Sequence, residues 1–120
     1  MSAADEEARA GAVFEALADP TRRAVLRAVA EHGSRTATEL AGGLPVTRQA
    51  VAKHLAVLRD AGLVTPERCG RELRFSARPE PLDAAGRWLT ATGAAWDDRL
   101  RRLAAHVDER RDPDTQDEGQ

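Results

Sequence analysis

Tyrosine is absent from this 120-residue sequence, which has only two phenylalanines, two tryptophans and one cysteine. A single cysteine, Cys69, can form neither an intrachain disulfide nor a thiolate cluster able to hold a metal. No apolar run approaches the ~20 residues that cross a bilayer. Residues 1–9 are acidic, unlike the cationic and then apolar start of a secretory leader, so the chain reads as cytoplasmic, with no membrane association. With so few aromatics the core must be built from Ala, Leu and Val, and such a core is easier to complete against a second copy. No Ser/His/Asp, Cys/His or paired-carboxylate arrangement and no glycine-rich phosphate loop stands out, so neither an enzyme nor a cofactor is expected.

The net charge is only −2, but it is unevenly spread. Residues 20–76 carry ten basic side chains (Arg22, Arg23, Arg27, Arg35, Arg48, Lys53, Arg59, Arg68, Arg71, Arg74) against five acidic ones, a local balance of +5. Residues 1–19 balance at −4 and residues 77–120 at −3. A phosphate backbone responds to charge within a Debye length of ~10 Å, so the middle of the chain matters more than the total.

The middle is also where the local structure is most legible. Residues 6–18 place Ala10, Val13, Phe14 and Leu17 at helical spacing. Asp19 is then an N-cap with Pro20 at the first helical position, opening a second helix over Val25, Leu26 and Val29 that stops at Gly33. Thr36-Ala37-Thr38-Glu39 is a capping box for a short third helix ending in Gly42-Gly43. Thr47 caps a fourth helix, with Val46 and Val51 as a hydrophobic staple, running through Leu55 and Leu58 to Gly62. Leu63-Val64-Thr65 and Leu73-Arg74-Phe75-Ser76 read as two strands around Arg68-Cys69-Gly70-Arg71, a hairpin turn. A last helix over residues 82–110 carries a stripe of Leu82, Ala85, Leu89, Trp96, Leu100, Leu103 and Val107. The expected fold is mostly α with a small β-hairpin: a winged helix-turn-helix of order α-α-α-α-β-β-α. It occupies residues 6–111, with residues 1–5 and 112–120 as disordered acidic tails.

On the fourth helix, Val51, Leu55 and Leu58 define an inner face, leaving Arg48, Gln49, Ala52, Lys53, Ala56 and Arg59 outside. Arginine pairs with guanine and glutamine with adenine in the major groove, and alanine lets the backbone approach. Thr47, Arg48, Gln49, Ala52 and Lys53 are therefore the candidate base readers. Thr36, Thr38, His54 and Arg59, with Arg68, Arg71 and Arg74 of the wing, are the candidate contacts to the DNA backbone. The competing possibility is a protein-interaction module using the same surfaces without sequence-specific DNA binding.

The run Phe14-Glu15-Ala16-Leu17-Ala18-Asp19-Pro20-Thr21-Arg22-Arg23 resembles the opening signature of the ArsR-type winged-helix repressors. So does Thr47-Arg48-Gln49-Ala50-Val51-Ala52-Lys53-His54-Leu55, followed by Leu58, Ala61-Gly62-Leu63-Val64 and the Gly70-Arg71 wing. The resemblance covers residues 13–107. It implies a dimeric repressor whose fourth helix reads an inverted-repeat operator, in some cases its own, and whose terminal helices form the dimer interface. Val13, Leu82, Trp88, Leu89, Trp96, Leu100 and Leu103 are the expected interface residues. The metal-sensing members carry paired cysteines in the third helix, where this chain has Glu39-Leu40-Ala41-Gly42-Gly43. A terminal-helix metal site is half matched by His106-x-x-Glu109, but Gly93 and Ala95 stand at its other two ligand positions. No metal is expected. The sequence identifies no small-molecule inducer and assigns Cys69 no redox role.

Overall fold

In the computed structural model, which describes residues 2–110 and their side chains except at 96 and 106–110, the first helix begins at Ser2. The Ser2 hydroxyl accepts the Asp5 N–H at 3.1 Å and caps α1 (Ala3–Ala16). Residues 2–5, expected in an acidic tail, are thus the cap and first turn, where Asp5 and Glu6 suit the positive end of the helix dipole. The expected tail at 112–120 lies outside the described residues. Asp19 Oδ1 accepts the Thr21 N–H at 2.8 Å, and with Pro20 in the first turn it starts α2 (Pro20–His32). Arg22 and Arg23 reach back from α2 to the end of α1. Arg22 donates to the carbonyls of Glu15 and Ala16 at 3.2 and 3.1 Å, and Arg23 to that of Leu17 at 2.6 Å. Carbonyls in a helix's last turn have no intrahelical partner, so these two cations complete α1.

Thr36 and Glu39 form the expected capping box at α3 (Ala37–Gly42), with both bonds at 3.0 Å. Thr47 Oγ1 accepts the Ala50 N–H at 3.1 Å and opens α4 (Arg48–Asp60). That helix closes with two bonds: Leu63 N–H to Leu58 C=O at 2.8 Å, and Gly62 N–H to Arg59 C=O at 2.9 Å. This is a Schellman closure, and it requires the left-handed residue Gly62 supplies at φ +79°. Strands β2 (Val64–Cys69) and β3 (Glu72–Ala77) pair antiparallel from Val64↔Ala77 to Cys69↔Glu72. Gly70, at φ +63°, and Arg71 make the turn; only the first of the two has positive φ, as in a type II′ hairpin.

The winged helix-turn-helix is therefore the fold, with one strand the sequence did not reveal. Arg35–Thr36 form β1, paired antiparallel with Phe75 and Arg74, so the hairpin becomes a three-stranded sheet of order β1-β3-β2. The order of elements is α1-α2-β1-α3-α4-β2-β3-α5. An N-cap residue has extended dihedrals, and at φ −86°, ψ 162° Thr36 serves as both cap and strand.

The chain divides into two compact units, Met1–Arg87 and Trp88–Gln120. The break falls within α5 (Glu80–Arg110). In the first unit, Val25, Val29, Leu40, Val51, Leu55, Leu58, Leu63, Val64 and Phe75 form the core together with Ala10, Val13, Ala16 and Ala85. Each fully buried Val or Leu contributes roughly 1.5–3 kcal/mol of transfer free energy. Val13, expected at a dimer interface, is only 2% exposed within one chain. It has no surface left to bury against a partner, and that assignment is corrected. In the second unit Trp88 and Thr92 are half-buried, and Leu89, Leu100 and Leu103 are 54–57% exposed. Among the described residues no helix is long and apolar enough to cross a membrane.

The caps have a titration consequence. The Thr21 N–H holds the Asp19 carboxyl below its ordinary value. The Thr36 N–H, helped by the Arg74 and Arg35 guanidinium groups, does the same for Glu39. A carboxyl depressed in the folded state adds stability that is fully present above its unfolded value and lost as pH falls through its folded value. The urea midpoint should therefore decline below about pH 4.5 and decline less in Asp19→Asn with Glu39→Gln, in which both caps persist without titrating. Identical pH profiles for the two proteins would contradict this.

Candidate nucleic-acid interface

The strip of α4 flanking its buried face, beside Leu55, forms one wall of an open groove in the first unit. Arg48, Ala52, Ala56 and Arg59 line that wall with Leu55, residues 36–39 at the start of α3 form another, and the wing supplies Arg68, Arg71, Glu72, Leu73 and Phe75. Strand alternation explains the wing's share: Arg68 pairs with Leu73 and Pro66 with Phe75, so these side chains share a face. Of the residues singled out in the sequence, the groove brings together Thr36, Thr38, Arg48, Ala52, Arg59, Arg68 and Arg71. Thr47, the cap of α4, and Gln49 and Lys53 on the helix are exposed but do not line the groove. Leu73 and Phe75 were missed, although the spacing Arg71-Leu73-Phe75 carries their shared face.

Charge decides what this groove can hold. Among the described residues no ion pair or side-chain hydrogen bond engages Arg48, Lys53, Arg68 or Arg71. Arg59 has an exposed contact with Asp60 at 3.6 Å, too weak to hold it against a phosphate. The two carboxylates in the lining, Glu39 and Glu72, are both bonded to Arg74. The groove therefore presents free guanidinium groups, while its two carboxylates are both engaged by the one guanidinium of Arg74. The Thr36 and Thr47 hydroxyls accept backbone N–H groups as caps and keep their own O–H available to donate.

Two expected DNA contacts make hydrogen bonds within the protein. Arg74 donates to Ser34 Oγ at 2.7 Å, the Ser34 carbonyl at 2.9 Å, Glu72 at 2.7 Å and Glu39 at 3.3 Å. Four of its five N–H groups are engaged within the protein, and Glu72 above all holds its pKa above the ordinary value. His54 is half-buried, and its Nδ1 accepts from Arg22 Nε at 3.4 Å, which directs it to α2 rather than to the groove. Of the expected interface residues in α5, Leu82, Leu89, Leu100 and Leu103 are 37–57% exposed and Trp88 is half-buried. The Trp96, His106 and Glu109 side chains lie outside those described. Cys69 is exposed at the end of β2.

An exposed cationic helix beside a basic two-stranded wing, on a helix-turn-helix, defines a module for binding double-stranded DNA. A family described as a helix-turn-helix domain matches residues 17–67. The uncharacterized HTH-type transcriptional regulator YuzN of Bacillus subtilis is 46% identical over 77 residues, covering 59% of this chain and 84% of that protein. A probable mercury resistance operon repressor of Streptomyces lividans is 35% identical over 100 residues, covering 81% of this chain and 79% of that one. The solved structure of an ArsR-like transcriptional regulator from Rhodococcus sp. RHA1 superposes with a TM-score of 0.73 at 42% identity, covering 85% of this chain and 92% of that chain. The chain belongs to the ArsR family of helix-turn-helix transcriptional regulators, which bind DNA and are not enzymes.

Proposed function

We propose that the protein is a homodimeric repressor that binds an inverted-repeat operator and does so without a metal effector. The observation that carries the reading is the set of free guanidinium groups of Arg48, Arg68 and Arg71 on one groove, flanked by the exposed Gln49 and Lys53. A two-fold dimer presents two such helices, and its operator mirrors that symmetry in two half-sites about one helical turn apart. Arg48 and Gln49, in the first turn of α4, read base edges, while Arg68, Arg71 and Arg59 hold phosphates. The exposed leucines of α5 supply the surface that a second copy covers. Repressors of this size commonly act on their own promoters, so the test is a footprint of the purified protein on the DNA upstream of its own gene. A protected inverted repeat supports the reading. Protection nowhere, from a folded protein, favours a protein-interaction role for the same surfaces.

The metal reading rests on residue types. The third-helix segment 39–43 has no thiolate, and among the described residues no three His, Cys, Asp or Glu side chains cluster as ligands would. Zinc, nickel or arsenite should leave operator affinity within about 0.5 kcal/mol, against the ~1–3 kcal/mol of a true effector. A larger shift that disappears on His106→Ala would contradict this.

A further inference from the structure

Arg74 lies on the wing strand, yet only Glu72 among its partners belongs to that strand. Its fork joins β3 to two places about forty residues earlier in the chain: Ser34, through both hydroxyl and carbonyl, and Glu39, the third residue of α3. Glu39 is at the same time half of the α3 capping box, accepting the Thr36 N–H at 3.0 Å. Thr36 in turn pairs with Arg74 in the register of the sheet. The wing strand, β1 and the first turn of α3 are thereby closed into one ring of hydrogen bonds. That ring stands between two groove walls, the start of α3 and the wing, and so bears on the distance between them.

We propose that Arg74 is a positioning residue for DNA binding: it fixes the wing relative to the α3 end of the groove, so that Arg68 and Arg71 meet the backbone when α4 is docked. The inference rests on the DNA-binding reading. It follows from the chemistry of the fork, because a guanidinium holds a hydroxyl, a carbonyl and two carboxylates in fixed directions. An ammonium on a flexible stem can hold one of those carboxylates but not the whole set. The four bonds occupy four of the five guanidinium N–H groups, which leaves a single Nη1 N–H for any phosphate and rules out a two-bond grip on one while the ring is intact.

The test uses the full chain and a labelled mixed-sequence duplex of about 30 base pairs, titrated at low salt, where backbone contacts dominate. Thermal melts first establish that each variant is folded at the assay temperature. Residues in one network are coupled strongly enough that Arg74→Gln and Arg74→Lys should each weaken binding about tenfold. Ser34→Ala, which changes no charge, should weaken it about threefold, and the Ser34→Ala/Arg74→Gln double variant should bind no worse than Arg74→Gln alone. If Arg74→Lys binds like the unmodified protein while Arg74→Gln does not, Arg74 is a phosphate contact and the proposal is wrong. If all folded variants bind alike, the ring serves stability only and the proposal is equally wrong. If the unmodified, folded protein binds no duplex, the DNA-binding reading itself fails and the proposal with it.

Discussion

Replacing Leu100 by aspartate is expected to abolish the proposed dimer at micromolar concentration while leaving the Met1–Arg87 unit folded. Leu100 is 55% exposed in the single chain and belongs to the other unit, Trp88–Gln120, so it is no part of that core. Its remaining surface has about 1–2 kcal/mol to gain from burial. In a two-fold interface each substitution counts twice, and a carboxylate carried into an apolar contact costs several kcal/mol more without a partner. Together these exceed about 4 kcal/mol, a loss of about 1,000-fold or more in dimer affinity. Sedimentation equilibrium reads the mass, and far-UV circular dichroism reads the helix content. A variant that stays dimeric would place the interface away from the leucine stripe of α5.

The second large effect separates reading from holding. Gln49 is exposed in the first turn of α4, and Arg71 is in the turn of the wing. Gln49→Ala removes a two-bond partner for adenine and should cost roughly 1–3 kcal/mol on the operator, with much less change on scrambled duplex. Arg71→Ala removes a charge that meets phosphate, so operator and scrambled affinities should fall together. The slope of log K against log salt should become shallower by about 0.9 for each half-site, because one fewer counterion is released. Equilibrium titrations on both duplexes at several salt concentrations measure all of these. If Arg71→Ala collapses the specificity ratio and Gln49→Ala leaves it intact, the wing is the reader.

Local chemistry made much of this legible in the sequence. Each cap announces itself within a few residues, so the starts of α2, α3 and α4 follow from Asp19, Thr36 and Thr47. The outer face of α4 follows from the spacing of Val51, Leu55 and Leu58, all buried. What was hidden depends on partners far along the chain. Arginine at 74 looks the same in sequence whether it meets a phosphate or Ser34, which is forty residues away. Strand β1 is two polar residues long and carries no periodicity; only its pairing with Phe75 and Arg74 makes it a strand. Val13 shows a different limit: helical spacing marks a buried face but does not say whether the same chain or a second copy buries it. The arginines of Asp19-Pro20-Thr21-Arg22-Arg23 add to the basic count of the middle segment, yet the structure uses both on α1 carbonyls. The positive surface is therefore narrower than that count implies, and it is concentrated on the groove.

On this account the groove and the exposed face of α4 bind duplex DNA through its phosphates and select a sequence. The most direct measurement is the affinity of the purified protein for its footprinted upstream duplex and for a scrambled duplex, across a salt series from about 50 to 200 mM. Phosphate contacts from Arg59, Arg68 and Arg71 on two protomers predict a fall of about 1,000-fold or more over that range, with the footprinted duplex bound more tightly throughout. Binding that is flat with salt, or equal on the two duplexes at every salt concentration, would contradict the account.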